Sequence, residues 1–184
     1  FLKGQIAMED VRRELMAQAA KMERTGLPLT HVDSHQHMHM LPGVIDISLD
    51  VAASLNLDAV RISRTPLFTA FAGMGQLIGR LGLFTLSELS LWKAKRRHFR
   101  VPDHFEGIVA GEAVHEGHFL HILKDLRPGT TEVMMHPGTD NEKLIPACDW
   151  EHDFEAEMQA IVSPKVRRMI ADKAVKVVNY RDLK

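Results

Sequence analysis

The chain has 184 residues, 45% of them hydrophobic and 26% charged, enough for one sizeable core and short for two full domains. Lys plus Arg (23) nearly balances Asp plus Glu (24), which excludes a general electrostatic pull toward nucleic acid or an anionic membrane. Cys148 is the only cysteine, so no internal disulfide and no cysteine-rich zinc site can form, as suits a reducing cytoplasm.

In chain order, Val11, Leu15, Ala19 and Met22 recur at helical spacing and predict a helix over about 8–24, with Gly26 as its stop. A chain that opens at Phe1 and enters this helix almost at once reads as the interior of something longer. "LPLTHVDSH" reads as a short strand, "LPGVIDISLDVAASLNL" as a helix with Pro42 near its first turn, and "AVRIS" as a second strand. Residues 67–98, broken by Gly73, Gly75, Gly79 and Gly82, are expected to form two helices. The basic run Lys93, Lys95, Arg96, Arg97 and Arg100 reads as a solvated helix end. After the punctuation of "RVPDHFEG" come a strand start and a helix through "AVHEGHFLHILKDL", then "TTEVMMHPG" as an apolar strand ending at a turn. A helix over Trp150 to Val162, another capped by Ser163 and running to Ala171, and a last strand "AVKVVNY" complete the pattern. No apolar run reaches the roughly 18 residues of a membrane-spanning helix, and the first residues have no signal-peptide pattern.

Strands alternating with helices predict a single α/β domain over 1–184 with a mostly parallel sheet. Functional groups in such folds collect at the carboxyl ends of strands. Two histidine-bearing segments fall there: "THVDSHQHMHM" at 30–40 and "MMHPG" with His136.

The first segment places His31, Asp33, His35, His37 and His39 at alternate positions. On one ideal strand all five would share a face, but His31 and His39 would lie on the order of 26 Å apart, too far for one metal ion. The row must therefore divide into one or two metal ligands and residues that orient, bind substrate or pack. A helical pairing of His35 with His39 lacks the carboxylate of an HExxH site, because Gln36 stands there, and Pro42-Gly43 marks a boundary just beyond. Asp33 could ligate or hold a ligating imidazole. His136 is either a long-range ligand or a proton donor. His115, His118 and His121 share a helix face without a convergent acid, and His98, His104 and His152 lack supporting neighbours; the Asp103-His104 pair could border a substrate.

"PLTHVDSHQHMHMLPGV", "VRISR", "EVMMHPG" and the closing "VNYRDL" together resemble the YdjC-like carbohydrate deacetylase family, over essentially the whole chain. The 67–98 excursion and "VPDHFEG" look most like its hopanoid-biosynthesis-associated branch. The resemblance implies a distorted (β/α) barrel that removes an acetyl group from an N-acetylated amino sugar, with a divalent metal, Mg2+ or Zn2+, held by one aspartate and two histidines. It implies His35 as a metal ligand and His136 as the general acid. Asp33, His37, His39, Arg61 and Arg64 then line the site or orient its ligands. The family's Asp-Asp-Phe-Gly strand and Gly-X-His segment are absent from these residues, so the chain resembles the C-terminal two-thirds of such an enzyme, with the remaining ligands upstream of residue 1. On that reading the barrel is incomplete, the fragment alone is inactive, and an exposed seam would favour a homodimer. Two rivals use the same residues: an amidohydrolase or PHP-type phosphoesterase with an H-x-H pair at His35/His37 or His37/His39, and an inert metal-binding module.

Overall fold

The apolar stripe of the first segment folds as expected into α1 (Met8–Glu23), and the chain leaves it through Gly26 in the left-handed region, φ +67°. The computed structural model describes residues 6–64, 74–108 and 113–183, without the side chains of 74–80. It divides into two compact units, residues 1–102 with 178–184, and residues 103–177.

In the first unit α2 (Val44–Ser54) is apolar nearly all round, and both of its sides are buried. Ile45, Leu49 and Ala52 join Met40, Val60, Ile62, Ala94 and Phe99 in one core. Ile47 and Val51 turn the other way, onto Ala19 and the flanking Val11, Leu15 and Met16 of α1. Each such fully buried aliphatic side chain stabilises the fold by about 1.5–3 kcal/mol. Ion pairs fasten the rim. Asp50 of α2 accepts from Arg12 and Arg97, each at 2.7 Å, and Lys93 reaches Asp46 at 2.6 Å. The basic run at 93–100 is thus largely consumed in the fold: Arg100 also pairs with Asp58, and Arg96 lies 5.2 Å over the Trp92 ring.

Backbone pairing here is minimal. Val32 bridges Val60 and Ala59 bridges Arg100, both in parallel. The strands expected at 27–35 and 59–63 shrink to these single bridges. Residues 67–98 do not give two described helices: one continuous helix, α3 (Met74–Arg96), runs through Gly75, Gly79 and Gly82, while the start of that segment lies outside the described residues. The closing strand is also absent. Val177 is 75% exposed with no strand beside it among the described residues, and a 3-10 turn, Tyr180–Asp182, follows.

In the second unit β1 (His104–Glu106) pairs in parallel with β2 (Thr131–Val133). β1 thus lies inside "DHFEG", which as sequence reads as punctuation. α4 (Glu116–Lys124) connects them, and α5 (Asn141–Cys148), α6 (Phe154–Val162) and α7 (Pro164–Asp172) follow. α6 begins at Phe154, after an Asp153 cap, four residues later than the sequence pattern puts it. Ser163 caps α7 as expected, its Oγ accepting from the N–H groups of Lys165 and Val166 with Pro164 at the first helical position. The observed class is mixed α-helical and α/β with a small parallel sheet, and every pairing joins segments consecutive in their order of use, the connectivity of β/α units. Among the described residues no helix is long and apolar enough to cross a membrane.

Candidate active site

Residues 31–40 form no extended strand. After the Val32 bridge, His35–Met40 winds into a kinked 3-10 turn in which Gln36 (φ 49°) and His37 (φ 57°) are both left-handed. Two consecutive non-glycine residues in that region cost roughly 1–2 kcal/mol each, a form of strain that clusters at functional sites. The kink breaks the period of two, so the alternate residues go to different places.

His39 is driven into the core, 2% exposed. Its Nε2 lies 2.7 Å from the Arg61 carbonyl oxygen and its Nδ1 2.8 Å from Ser34 Oγ. A carbonyl only accepts, so Nε2 carries the proton and Nδ1 accepts from the Ser34 hydroxyl. That hydroxyl oxygen in turn accepts the His39 backbone N–H at 2.8 Å. Such a closed circuit makes His39 a structural pin. His37 places Nδ1 2.8 Å from Ser63 Oγ, and His31 bonds Thr30 Oγ1 at 2.8 Å while stacking on Tyr180 at 3.7 Å. Asp33 accepts a charged hydrogen bond from Arg61, and its other oxygen stands 3.9 Å from His39 Nδ1. Arg64 donates to Glu88 at 2.8 Å.

His35 is the exception. Its ring is exposed and has no hydrogen-bond partner among the described residues. Imidazole nitrogen suits Zn2+ or a comparable divalent ion. His35 fits as one ligand of a set, but no two further His, Cys, Asp or Glu side chains gather with it among the described residues.

The second histidine site is built on the exit of β2. His136 stands three residues after Val133, and its backbone N–H donates to Glu157 Oε2 from α6. Its ring meets Trp150 edge-on at 5.0 Å and His152 at 5.4 Å, while Trp150 stacks on His152 at 4.1 Å. Gly138 lets the following turn close: a Cβ there would fall 2.3 Å from Leu144 Cδ1 and 2.9 Å from Phe154 Cβ. His152, which as sequence has no supporting neighbour, is corrected to a buried member of this cluster, with Nε2 3.2 Å from Glu157 Oε1. The ligand atoms of His136, His152 and Glu157 all lie within 4.8 Å of one another, a set that could take a cation. Both Glu157 oxygens, however, already accept backbone N–H groups, of Val114 (2.9 Å) and His136. Glu157 and His152 carry a signal in retrospect: Phe154, Glu157 and Ala160 are the buried row of α6, so a charge stands within an apolar stripe.

Two of the other histidines do scaffold work. His115 Nδ1 caps α4 by accepting from His118 N–H at 3.3 Å, and His104 Nε2 bonds the Pro128 carbonyl at 3.0 Å. Asp103 accepts from Thr130 N–H at 2.8 Å, beside β1 and β2. Cys148 is an exposed free thiol. At the end of β1, burial pushes the Glu106 carboxyl above its ordinary range, against the weaker pull of Arg127 at 3.7 Å.

The sequence profile of the family described as YdjC-like protein matches residues 1–172. A carbohydrate deacetylase of Thermoanaerobacter pseudethanolicus is 27% identical over 177 residues, covering 96% of this chain and 61% of that protein. A carbohydrate deacetylase of Mus musculus is 29% identical over 205 residues, covering 98% of this chain and 64% of that protein. The chain therefore spans less than two-thirds of the length of these curated relatives. A crystal structure from Enterococcus faecalis, of a protein proposed to cleave cellobiose phosphate, shares the fold at a TM-score of 0.67 and 18% identity, over 97% of this chain and 62% of that one. On the match of its own length, the chain belongs to the YdjC-like protein family.

Proposed function

We propose that this chain forms part of a metal-dependent carbohydrate N-deacetylase, with His35 as a metal ligand and His136 as the general acid. The observation that carries the reading is the division of the 31–39 row: the other four side chains are held by protein partners, and His35 alone is left open to a ligand. The relatives named carbohydrate deacetylase supply the reaction class. The remaining metal ligands and the base lie outside these 184 residues on this reading, and the chain alone turns over nothing.

A divalent cation held in part by His35 would supply Lewis acidity toward the acetyl carbonyl and the attacking water. The chain's own residues do the rest. Amide hydrolysis requires the nitrogen to leave as a neutral amine, so a proton must reach it as the C–N bond breaks, and His136 donates it. Asp33 and His39 fix the strained turn that presents His35, through Arg61 and Ser34. Arg61 and Arg64 both carry carboxylate partners, Asp33 and Glu88. Their charge is compensated, which suits hydrogen bonding to an uncharged N-acetyl sugar better than capture of a phosphate dianion. Leu81, Leu89 and Trp92 of α3 are exposed, 52%, 40% and 54%, and would accommodate an apolar aglycone such as a hopanoid.

The test is acetate release from N-acetylated chito-oligosaccharides, and from a lipid-linked amino sugar, by the protein of the full reading frame. His35→Ala is expected to abolish metal-dependent release. His136→Ala should keep metal binding and lower turnover by about 10²–10⁴-fold. Phosphate release from phosphosugars without acetate release would favour the phosphoesterase rival, and full activity in His136→Ala would remove its assigned role.

A further inference from the structure

We propose that Glu157 is the positioning residue of His136: a buried carboxylate that fixes the backbone of the proposed acid and the histidine ring packed against it. The inference rests on the reading of His136 given above and extends it to a residue that contacts no substrate.

Glu157 is 1% exposed. It projects from the first turn of α6, where the helix N-terminus favours negative charge. One oxygen accepts the N–H of Val114, just before α4, and the other accepts the N–H of His136, just after β2. The oxygen on Val114 also stands 3.2 Å from His152 Nε2. That nitrogen is sealed from solvent and makes no regular hydrogen bond among the described residues, and Glu157 Oε1 is the carboxylate oxygen it faces. The His152 ring leans edge-on against His136 and is backed by Trp150. One carboxylate thus determines where the His136 backbone sits and which ring forms the wall beside its imidazole.

A buried carboxylate carries a large desolvation cost, and this one offsets it by accepting two backbone N–H groups that an apolar residue would leave unpaired. Here one backbone bond and one ring contact of the carboxylate converge on the same histidine. A shift of about 1 Å in such a group can cost on the order of a hundredfold in turnover, so a rigid seat has a catalytic consequence.

The decisive experiment is a double-mutant cycle on the full-length protein, with acetate release as the assay. Glu157→Gln keeps the shape but turns a donor toward a backbone N–H. It is expected to lower kcat by about tenfold or more with KM within about twofold, and to cost almost nothing further in a His136→Ala background. A loss that multiplies with that of His136→Ala, or falls on KM, overturns the positioning role and leaves the acid assignment standing. Full activity in His136→Ala alone overturns the acid assignment. Should Glu157→Gln fail to fold, His152→Phe keeps the stack on Trp150 and removes the contact to Glu157. It carries the same expectation of a coupled kcat loss, and a multiplicative loss again overturns the proposal. Independently of turnover, the His136 amide should exchange slowly in the wild-type protein, and an unprotected amide there contradicts the seat outright.

Discussion

The two histidine sites solve the same problem in opposite ways. In the first unit a strained turn distributes its imidazoles among protein partners and leaves His35 open, so the proposed ligand is set apart by what its neighbours hold. In the second unit a single buried carboxylate holds the proposed acid by its backbone, and aromatic rings close around it. A ligand to a metal needs an unencumbered lone pair, whereas a proton donor needs a fixed direction and a controlled surrounding. On the proposed roles, "a histidine at a strand end" is two designs: in one the neighbouring side chains are held around an open ring, in the other a buried carboxylate anchors the main chain.

The contrast can be broken first at its tightest point. Gly138→Ala forces Leu144 and Phe154 apart and should destabilise the second unit by about 1–3 kcal/mol, read as an early transition in thermal unfolding. In the first unit His39→Ala removes the imidazole's hydrogen bonds to the Arg61 carbonyl and the Ser34 hydroxyl and opens a cavity, with an expected loss of about 2–3 kcal/mol by denaturant titration.

Smaller effects separate the units by pH. Burial works to raise Asp50, but hydrogen bonds from Arg12 and Arg97 outweigh it and hold the carboxyl below its ordinary range. Its contribution is therefore present above the unfolded carboxylate range and lost as pH falls through the folded value. Asp50→Asn should remove about 0.5–1 kcal/mol at pH 7 and flatten the acid limb of the first unit's stability. Glu106 has the opposite sign. Burial raises it, so its contribution is fullest in acid and lost as pH rises through the folded value. Glu106→Gln should leave the second unit unchanged or slightly more stable at pH 7, and less dependent on pH above the ordinary carboxylate range. The smallest effect belongs to His35→Ala, which should move stability by no more than about 0.5 kcal/mol, because the ring is exposed.

Much of the helical frame is legible in the sequence, because α1 and α7 carry their own stripes and stops: Val11 and Leu15 with Gly26, and Ser163 before Pro164. α5 escapes notice because it is only eight residues long with Pro146 inside it, and its Asp140 cap is a lone cue. Strands are overread for a physical reason. "AVKVVNY" has strand-like residues, but a strand needs a partner, and Val177 finds only solvent. Within the candidate site, the pattern singles out 31–39 yet cannot show the left-handed pair Gln36-His37, which no glycine announces. Glu157 is hidden more deeply. Its role depends on Val114 and His136, which are 43 and 21 residues away.

On the proposed reading His35 is open because it binds metal while its neighbours hold the turn. The direct measurement is the metal content and acetate release of His35→Ala in the full-length protein, at unchanged thermal stability. The expected result is a folded protein that has lost its divalent ion and its deacetylase activity together. A folded His35→Ala variant that keeps both would contradict it.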